Sequence, residues 1–242
     1  MKATFAIAKR DFKSFFSTPL GWIASCIIFL ISGIVFFIIV KMLLLRGQSV
    51  DPVADIMGQI IGFLNYINIF IVPAFTMRSI TEEFANGSYR LQSSAPISDW
   101  EIVLGKFFGI MFYFGTLGLL MLIYPLYTVI FSDPDLKVML GGWLGFTLNI
   151  AAIVSIGIFV GSLTKNPIIS YLGTAFSIIL FIFSGYFNGV PAWYKESVNI
   201  LELGNDFAKG EIKTGSLAIY FAIIFIFLSL SKFVFESKKW KV

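Results

Sequence analysis

Residues 20–40 read LGWIASCIIFLISGIVFFIIV, a run without a single Asp, Glu, Lys or Arg. About 20 predominantly apolar residues in helical form cross the roughly 30 Å hydrocarbon core of a bilayer, so this run is read as a membrane span. Lys41 and Arg46 close it, and Pro19 separates it from the residues before it. Comparable runs predict spans at about 57–77, 103–131, 138–163, 168–187 and 216–235. The breaks between them are the polar loop at 47–55, the charged stretch 78–101, the turn Asp133-Pro134-Asp135, the turn Lys165-Asn166-Pro167 and the amphipathic segment 188–215. Composition agrees. The chain of 242 residues is 57% hydrophobic and 13% charged, against about 45–50% apolar and about 25% charged for an ordinary soluble domain. The expected fold class is an all-α integral membrane protein of one domain, residues 1–242, with six transmembrane helices.

Residues 1–18 precede the first span. Phe5, Ala8, Phe12, Phe15 and Phe16 repeat at helical spacing, with Lys9, Arg10, Lys13 and Ser17 on the other face. This pattern predicts a basic amphipathic helix lying in the membrane surface, with Lys9, Arg10, Phe12 and Lys13 as its candidate interfacial residues. A secretory signal peptide would need a short apolar core and a small-residue cleavage site, and the apolar run here is long and has no such site.

Several function classes drop out. Cys26 is the one cysteine and histidine is absent, which removes the usual Cys/His metal sites and imidazole chemistry. The net charge of +4 gathers at the two ends of a membrane chain, so it points to the membrane surface and not to nucleic acid. No charged residue falls in the middle of a predicted span. Such a charge costs about 2.5–3.5 kcal/mol on insertion scales and usually marks an ion-driven carrier, so energy is expected to enter from outside the membrane.

Uncharged polar residues are present instead. Asn65 and Asn68 share one helix face, as do Thr174 and Ser177. They are either interhelical hydrogen-bonding groups or the lining of a route. Glycines recur four apart at 58/62, 105/109, 141/145, 157/161 and 185/189. Such pairs let helices approach closely, within the subunit or between subunits.

Six spans put both ends on one side. That side holds Lys2, Lys9, Arg10, Lys13, Arg78, Arg90, Lys106, Lys165, Lys232, Lys238, Lys239 and Lys241. The other holds Lys41, Arg46, Lys137, Lys195, Lys209 and Lys213. The excess of basic residues places both termini in the cytoplasm.

The stretch 79–101, SITEEFANGSYRLQSSAPISDWE, carries the densest local signals. Thr81 is placed to cap a short helix whose first turn holds Glu82 and Glu83. Asn86-Gly87 bends or interrupts it, Pro96 ends it, and Ser98 with Glu101 has the spacing of a capping box that starts the third span. The stretch is either a solvated loop or a helical element presented to a cytoplasmic partner.

The pattern MRSITEE…NGSYRLQSSAPISDWEIVLGKFFG (from Met77) resembles the signature of ABC-2 type transporter permeases. Arg78, Ser79, Glu82, Glu83, Gly87, Leu91, Pro96, Ser98, Trp100, Ile102, Val103, Leu104, Gly105 and Lys106 fit it. Ser88-Tyr89-Arg90 departs from it, since many members have Thr-x-Glu there. Near the C-terminus, Phe207, Gly210, Glu236, Lys238, Lys239 and Trp240 resemble the gliding-motility-associated subgroup, and KRDFKSFFSTPLGW (9–22) is similar to the same subgroup.

The resemblance implies a bacterial inner-membrane subunit that pairs as a homodimer or heterodimer and binds two cytoplasmic ATPase subunits. ATP and Mg²⁺ would sit on those subunits, with no cofactor on this chain and no enzymatic site in it; consistently, no G-x-x-x-x-G-K-[ST] phosphate loop is present. The resemblance also implies that 78–101 is the coupling segment, with Glu82, Glu83, Asn86, Gly87, Tyr89 and Arg90 as its contact residues. The N-terminal helix would brace it, short re-entrant helices would precede the last span, and spans two and five would lie near the dimer axis. The expected activity is ATP-driven export of an unidentified substrate. The alternative is a membrane scaffold or mechanotransmission subunit that moves no cargo.

Overall fold

A computed structural model describes residues 2–46, 52–88, 97–129, 136–184, 203–204, 207, 210 and 213–239. Helix α1 is Lys2–Phe16 and α2 is Pro19–Arg46. Two residues separate them. Thr18 Oγ1 donates to the Phe15 carbonyl, and Pro19 starts α2, where its missing N–H costs nothing. Gly21 is required here, because a Cβ on it would lie 2.0 Å from the Phe15 oxygen.

Helix α3, Pro52–Thr76, continues without a break through a π-helical turn, Met77–Thr81, into α4, Glu82–Ala85. This differs from the expectation of a span ending at 77 followed by a separate capped helix. Thr81 has helical backbone angles and makes no capping bond; its hydroxyl donates to the Gly161 carbonyl, 3.2 Å away. The second span thus runs on as one helix from Gly58 to Ala85. Gly87, with φ of +73°, supplies the left-handed residue that commonly ends a helix.

The capping box at the next helix has the form its spacing predicts. Glu101 N–H donates to Ser98 Oγ at 3.2 Å, and Ser98 N–H donates back to Glu101 Oε2 at 3.3 Å. Helix α5 therefore begins at Asp99 and ends at Met121, earlier than the run 103–131 suggests. After a turn at Leu122, the short α6, Ile123–Val129, follows. Helix α7 is Leu136–Leu163, α8 is Pro167–Ser184 and α9 is Thr214–Lys239. Asn166 Oδ1 accepts the Ile168 N–H at 3.0 Å, capping α8 ahead of Pro167.

Six helices (α2, α3 with its extension, α5, α7, α8 and α9) are long and apolar enough to cross a membrane, and no strand occurs among the described residues. The fold is that of an all-α integral membrane protein. The re-entrant helices expected at 188–215 fall largely outside the described residues.

Helix α7 is the centre of the bundle. Its apolar window is 72% buried, against 22% for α8 and 17% for α9. A chain of aromatic rings joins α1, α3 and α5: Phe15 to Phe75 at 4.9 Å, then Phe75 to Tyr113 at 4.7 Å and to Phe114 at 5.1 Å. Tyr113 adds α2 by donating to the Gly21 carbonyl at 2.7 Å. The glycine pairs 105/109, 141/145 and 157/161 are contacts within the subunit, whereas a Cβ on Gly58 would meet nothing within 4 Å. A Cβ on Gly157 would meet Thr76 at 2.5 Å, and one on Gly145 would meet Phe207 at 2.4 Å.

Candidate functional site

The site is built where α1 crosses α5. A Cβ on Gly105 would lie 2.8 Å from the Ile7 Cβ, and one on Gly109 would lie 2.9 Å from the Asp11 Cβ. The two glycines thus let α1 rest on the α5 backbone. The face that α1 buries is Ile7, Ala8, Asp11 and Phe15, so an acid sits in the middle of its apolar stripe. Lys9, Arg10 and Lys13 are exposed and Phe12 is half-buried.

Asp11 is compensated. Arg10 reaches its Oδ1 at 2.7 Å and Glu83 Oε1 at 2.6 Å. Lys106 of α5 reaches Glu83 Oε2 at 2.6 Å and lies 3.8 Å from Asp11 Oδ2. Ser79 Oγ donates to Asp11 Oδ2 at 2.9 Å, and the Lys106 ammonium also donates to the Ser79 carbonyl in the π-helical turn. Two cations and two anions are therefore cross-linked over three elements: α1, the far end of the α3 helix, and α5. Lys106 is 1% exposed and Asp11 5%. Taking such charges out of water costs several kcal/mol per ion, and the cost is met only when every ion is paired and hydrogen-bonded, as these are. Partial burial works against the Arg10 charge, but the carboxylates of Asp11 and Glu83 outweigh it and hold the guanidinium above its ordinary value.

A cavity of about 230 Å³ lies beside the cluster, lined by Phe15 and by the polar side chains of Arg10, Asp11, Ser14, Arg78, Ser79, Glu82, Glu83, Asn86 and Ser88. Glu82 is half-buried, takes part in no ion pair among the described residues and faces this cavity; Asn86 at its rim is exposed. The expected contact residues thus divide. Glu83 is held inside the scaffold, Glu82, Asn86 and Gly87 stand at the open end, and Tyr89 and Arg90 lie outside the described residues. Lys238 of α9 joins the same end of the bundle, its ammonium 3.9 Å from the centre of the Phe84 ring.

The sequence alone marks Lys106 only as part of the family signature and does not mark Asp11, and it pairs neither with the coupling segment. The signal was an acid on the apolar stripe of α1 together with a lysine beside the glycine pair of the third span.

The two polar pairs within the spans sit differently. Asn65 and Asn68 are 1% and 0% exposed, and neither amide has a hydrogen-bond partner among the described residues. Space for Asn65 is made by Gly204, whose Cβ would lie 3.0 Å from its nitrogen. Thr174 is buried and Ser177 half-buried, and each hydroxyl donates to a carbonyl of its own helix, Ser170 and Gly173, at 2.8 Å. Thr81 and Ser170 flank Gly161 at one level. From there Thr174 and Ser177 lie about 6 and 10 Å into the span, and Asn68 and Asn65 about 20 and 24 Å, at 1.5 Å per residue. The two pairs are therefore at different depths.

Residues 48–201, from the loop before α3 to beyond α8, match the family model for the ABC-2 family transporter protein. The chain belongs to the ABC-2 transporter family. As such it is the permease subunit of an ABC transporter, a multi-pass membrane protein that works with a cytoplasmic ABC ATPase and carries no ATPase site of its own. No curated protein matches the permease. The match spans α3, its π-helical extension and α5, so the elements holding Glu83 and Lys106 belong to the family region, while Arg10 and Asp11 on α1 lie outside it.

Proposed function

We propose that the permease exports its substrate across a bacterial inner membrane, with both termini cytoplasmic, as one of two paired membrane subunits in a homodimer or heterodimer. The similarity of its two ends to the gliding-motility-associated subgroup supports a role in a system of that type. ATP and Mg²⁺ act on the partner ATPase. The ATPase seats on the open end of the α3 helix, at Glu82, Asn86 and Gly87, and on Tyr89 and Arg90 beyond it. Motion there passes to α1 and α5 through Glu83. The observation that supports this reading is the ion cluster, because it ties the end of the α3 helix, α1 and α5 to one another. The buried amides of Asn65 and Asn68 are the groups this reading assigns to the route, with Thr174 and Ser177 at another depth.

Two experiments test the reading. Glu82→Lys lies outside the cluster, so it is expected to leave membrane insertion intact while weakening capture of the ATPase and lowering ATP turnover. Unchanged capture and turnover would remove the docking assignment. For orientation, in a Cys26→Ala background Lys137→Cys is expected to react with an impermeant thiol reagent from outside and Lys165→Cys is not. The reverse pattern would invert the topology.

A further inference from the structure

A second concavity, of about 570 Å³, runs along the outside of the bundle between α1, α5 and α7. That volume falls within the about 300–1,000 Å³ of small-molecule sites. Phe5 and Phe12 form its α1 wall, and Met111, Phe112 and Leu119 form its α5 wall, with Trp143 of α7 at the far side. Phe5 is 62% exposed, Phe112 45% and Leu119 56%. In a membrane bundle these positions face hydrocarbon, so the groove opens to the acyl chains of the bilayer. From Met111 to Leu119 it follows α5 for about 12 Å. Its floor is Gly115, where an added Cβ would meet nothing within 4 Å.

The α1 end of the groove differs in chemistry. Lys9 and Lys13, one helical turn apart and both exposed, form its rim. Among the described residues neither takes part in an ion pair, whereas Arg10 between them is held by Asp11 and Glu83. An apolar trough that ends under two ammonium groups fits an amphiphile with an anionic head and a hydrocarbon tail. A neutral apolar molecule leaves both charges unused, and a soluble anion leaves the trough unfilled. A second copy seated there about a two-fold axis would bring two lysine pairs towards each other.

We propose that this groove binds an anionic phospholipid of the surrounding bilayer, one acyl chain lying along α5 and the phosphate held by Lys9 and Lys13. The proposal depends on the chain being a membrane protein and not on its transport activity.

The test uses the full chain in phosphatidylcholine vesicles, with Trp22, Trp100, Trp193 and Trp240 changed to Phe so that Trp143 alone reports. Phosphatidylglycerol or phosphatidylcholine with brominated chains is then added as a quencher. Brominated phosphatidylglycerol is expected to quench at about a thirtieth of the concentration that phosphatidylcholine needs, the preference two lysines give at an anionic headgroup. Lys9→Gln/Lys13→Gln is expected to erase that preference, and Lys9→Arg/Lys13→Arg to retain it. Gly115→Leu, which the open space accommodates, is expected to reduce quenching by both lipids. Equal quenching by the two lipids, a preference that survives the glutamine pair, or quenching unaffected by Gly115→Leu would each overturn the proposal. So would self-cross-linking of a Gly115→Cys, Cys26→Ala chain, which would show a second copy in the groove. If the glutamine pair fails to fold, the lipid contrast in the native chain, the arginine pair and Gly115→Leu still decide.

Discussion

Two buried polar regions of this permease are built on opposite principles. At one end of the bundle every charge of the Arg10–Asp11–Glu83–Lys106 cluster has a partner of opposite sign, and the Ser79 hydroxyl and carbonyl satisfy what remains. Deeper in the span, Asn65 and Asn68 are as thoroughly buried but lack hydrogen-bond partners among the described residues. The first arrangement is cross-linked over three elements and suits a part that must transmit force without yielding. The second stores unsatisfied hydrogen-bonding capacity where the helices pack, and suits a place that rearranges or admits a polar group. Burial alone does not tell the two regions apart; the completeness of polar pairing does.

The largest effect is expected from breaking the paired region. Lys106→Met leaves Glu83 and Asp11 without their buried cation, and removing one member of such a pair costs about 3–5 kcal/mol. Thermal unfolding of the purified permease is expected to show a correspondingly large fall. Adding Glu83→Gln to the same chain is expected to recover part of it, because the two residues share one network. A Lys106→Met chain as stable as the native one would mean that the cluster does not hold the three elements together.

The amide region is expected to respond with the opposite sign. An unsatisfied buried polar group costs about 1–3 kcal/mol, so Asn65→Leu/Asn68→Leu is expected to leave the complex assembled and no less stable while lowering transport in reconstituted vesicles. Normal transport with a loss of thermal stability would show that the amides are packing contacts and that the route lies elsewhere.

Much of this could be read from the sequence, and the limit is physical. The spans follow from apolar runs, a property of each stretch alone, and the Ser98/Glu101 capping box is a bond between residues three apart. The continuation of the second span to Ala85 was hidden by Arg78, Glu82 and Glu83, which read as solvated positions. Glu83 is tolerated on a continuous helix because it is neutralised by residues 73 positions before it and 23 after it in the chain. The glycines at 105 and 109 were visible as a close-approach pair, but that their partner is α1 is a tertiary fact. Asp11 carries the same lesson, since an acid on an apolar stripe becomes intelligible only beside Lys106.

Smaller effects are expected at the exposed and self-bonded positions. Arg10 is the exposed member of the cluster, its side chain 48% accessible. Exposed ion pairs contribute at most about 1 kcal/mol, so Arg10→Gln is expected to lower stability by far less than Lys106→Met, and by less still at high salt. An equal loss at both positions would mean that the cluster is not graded by burial. The smallest change is expected at Thr174→Val and Ser177→Ala. Their hydroxyls bond only to carbonyls of their own helix, bonds that contribute little to helix stability, and unfolding of these variants is expected to differ little from the native permease.

In the proposed arrangement the ATPase meets this subunit at the open end of the α3 helix. The most direct measurement places one cysteine at its tip, Asn86→Cys in a Cys26→Ala chain, and treats membranes containing the assembled transporter with a short bifunctional thiol reagent. The expected result is a cross-link between permease and ATPase at position 86 and none from Lys137→Cys at the opposite end of the bundle. A cross-link from position 137, with none from position 86, would contradict it.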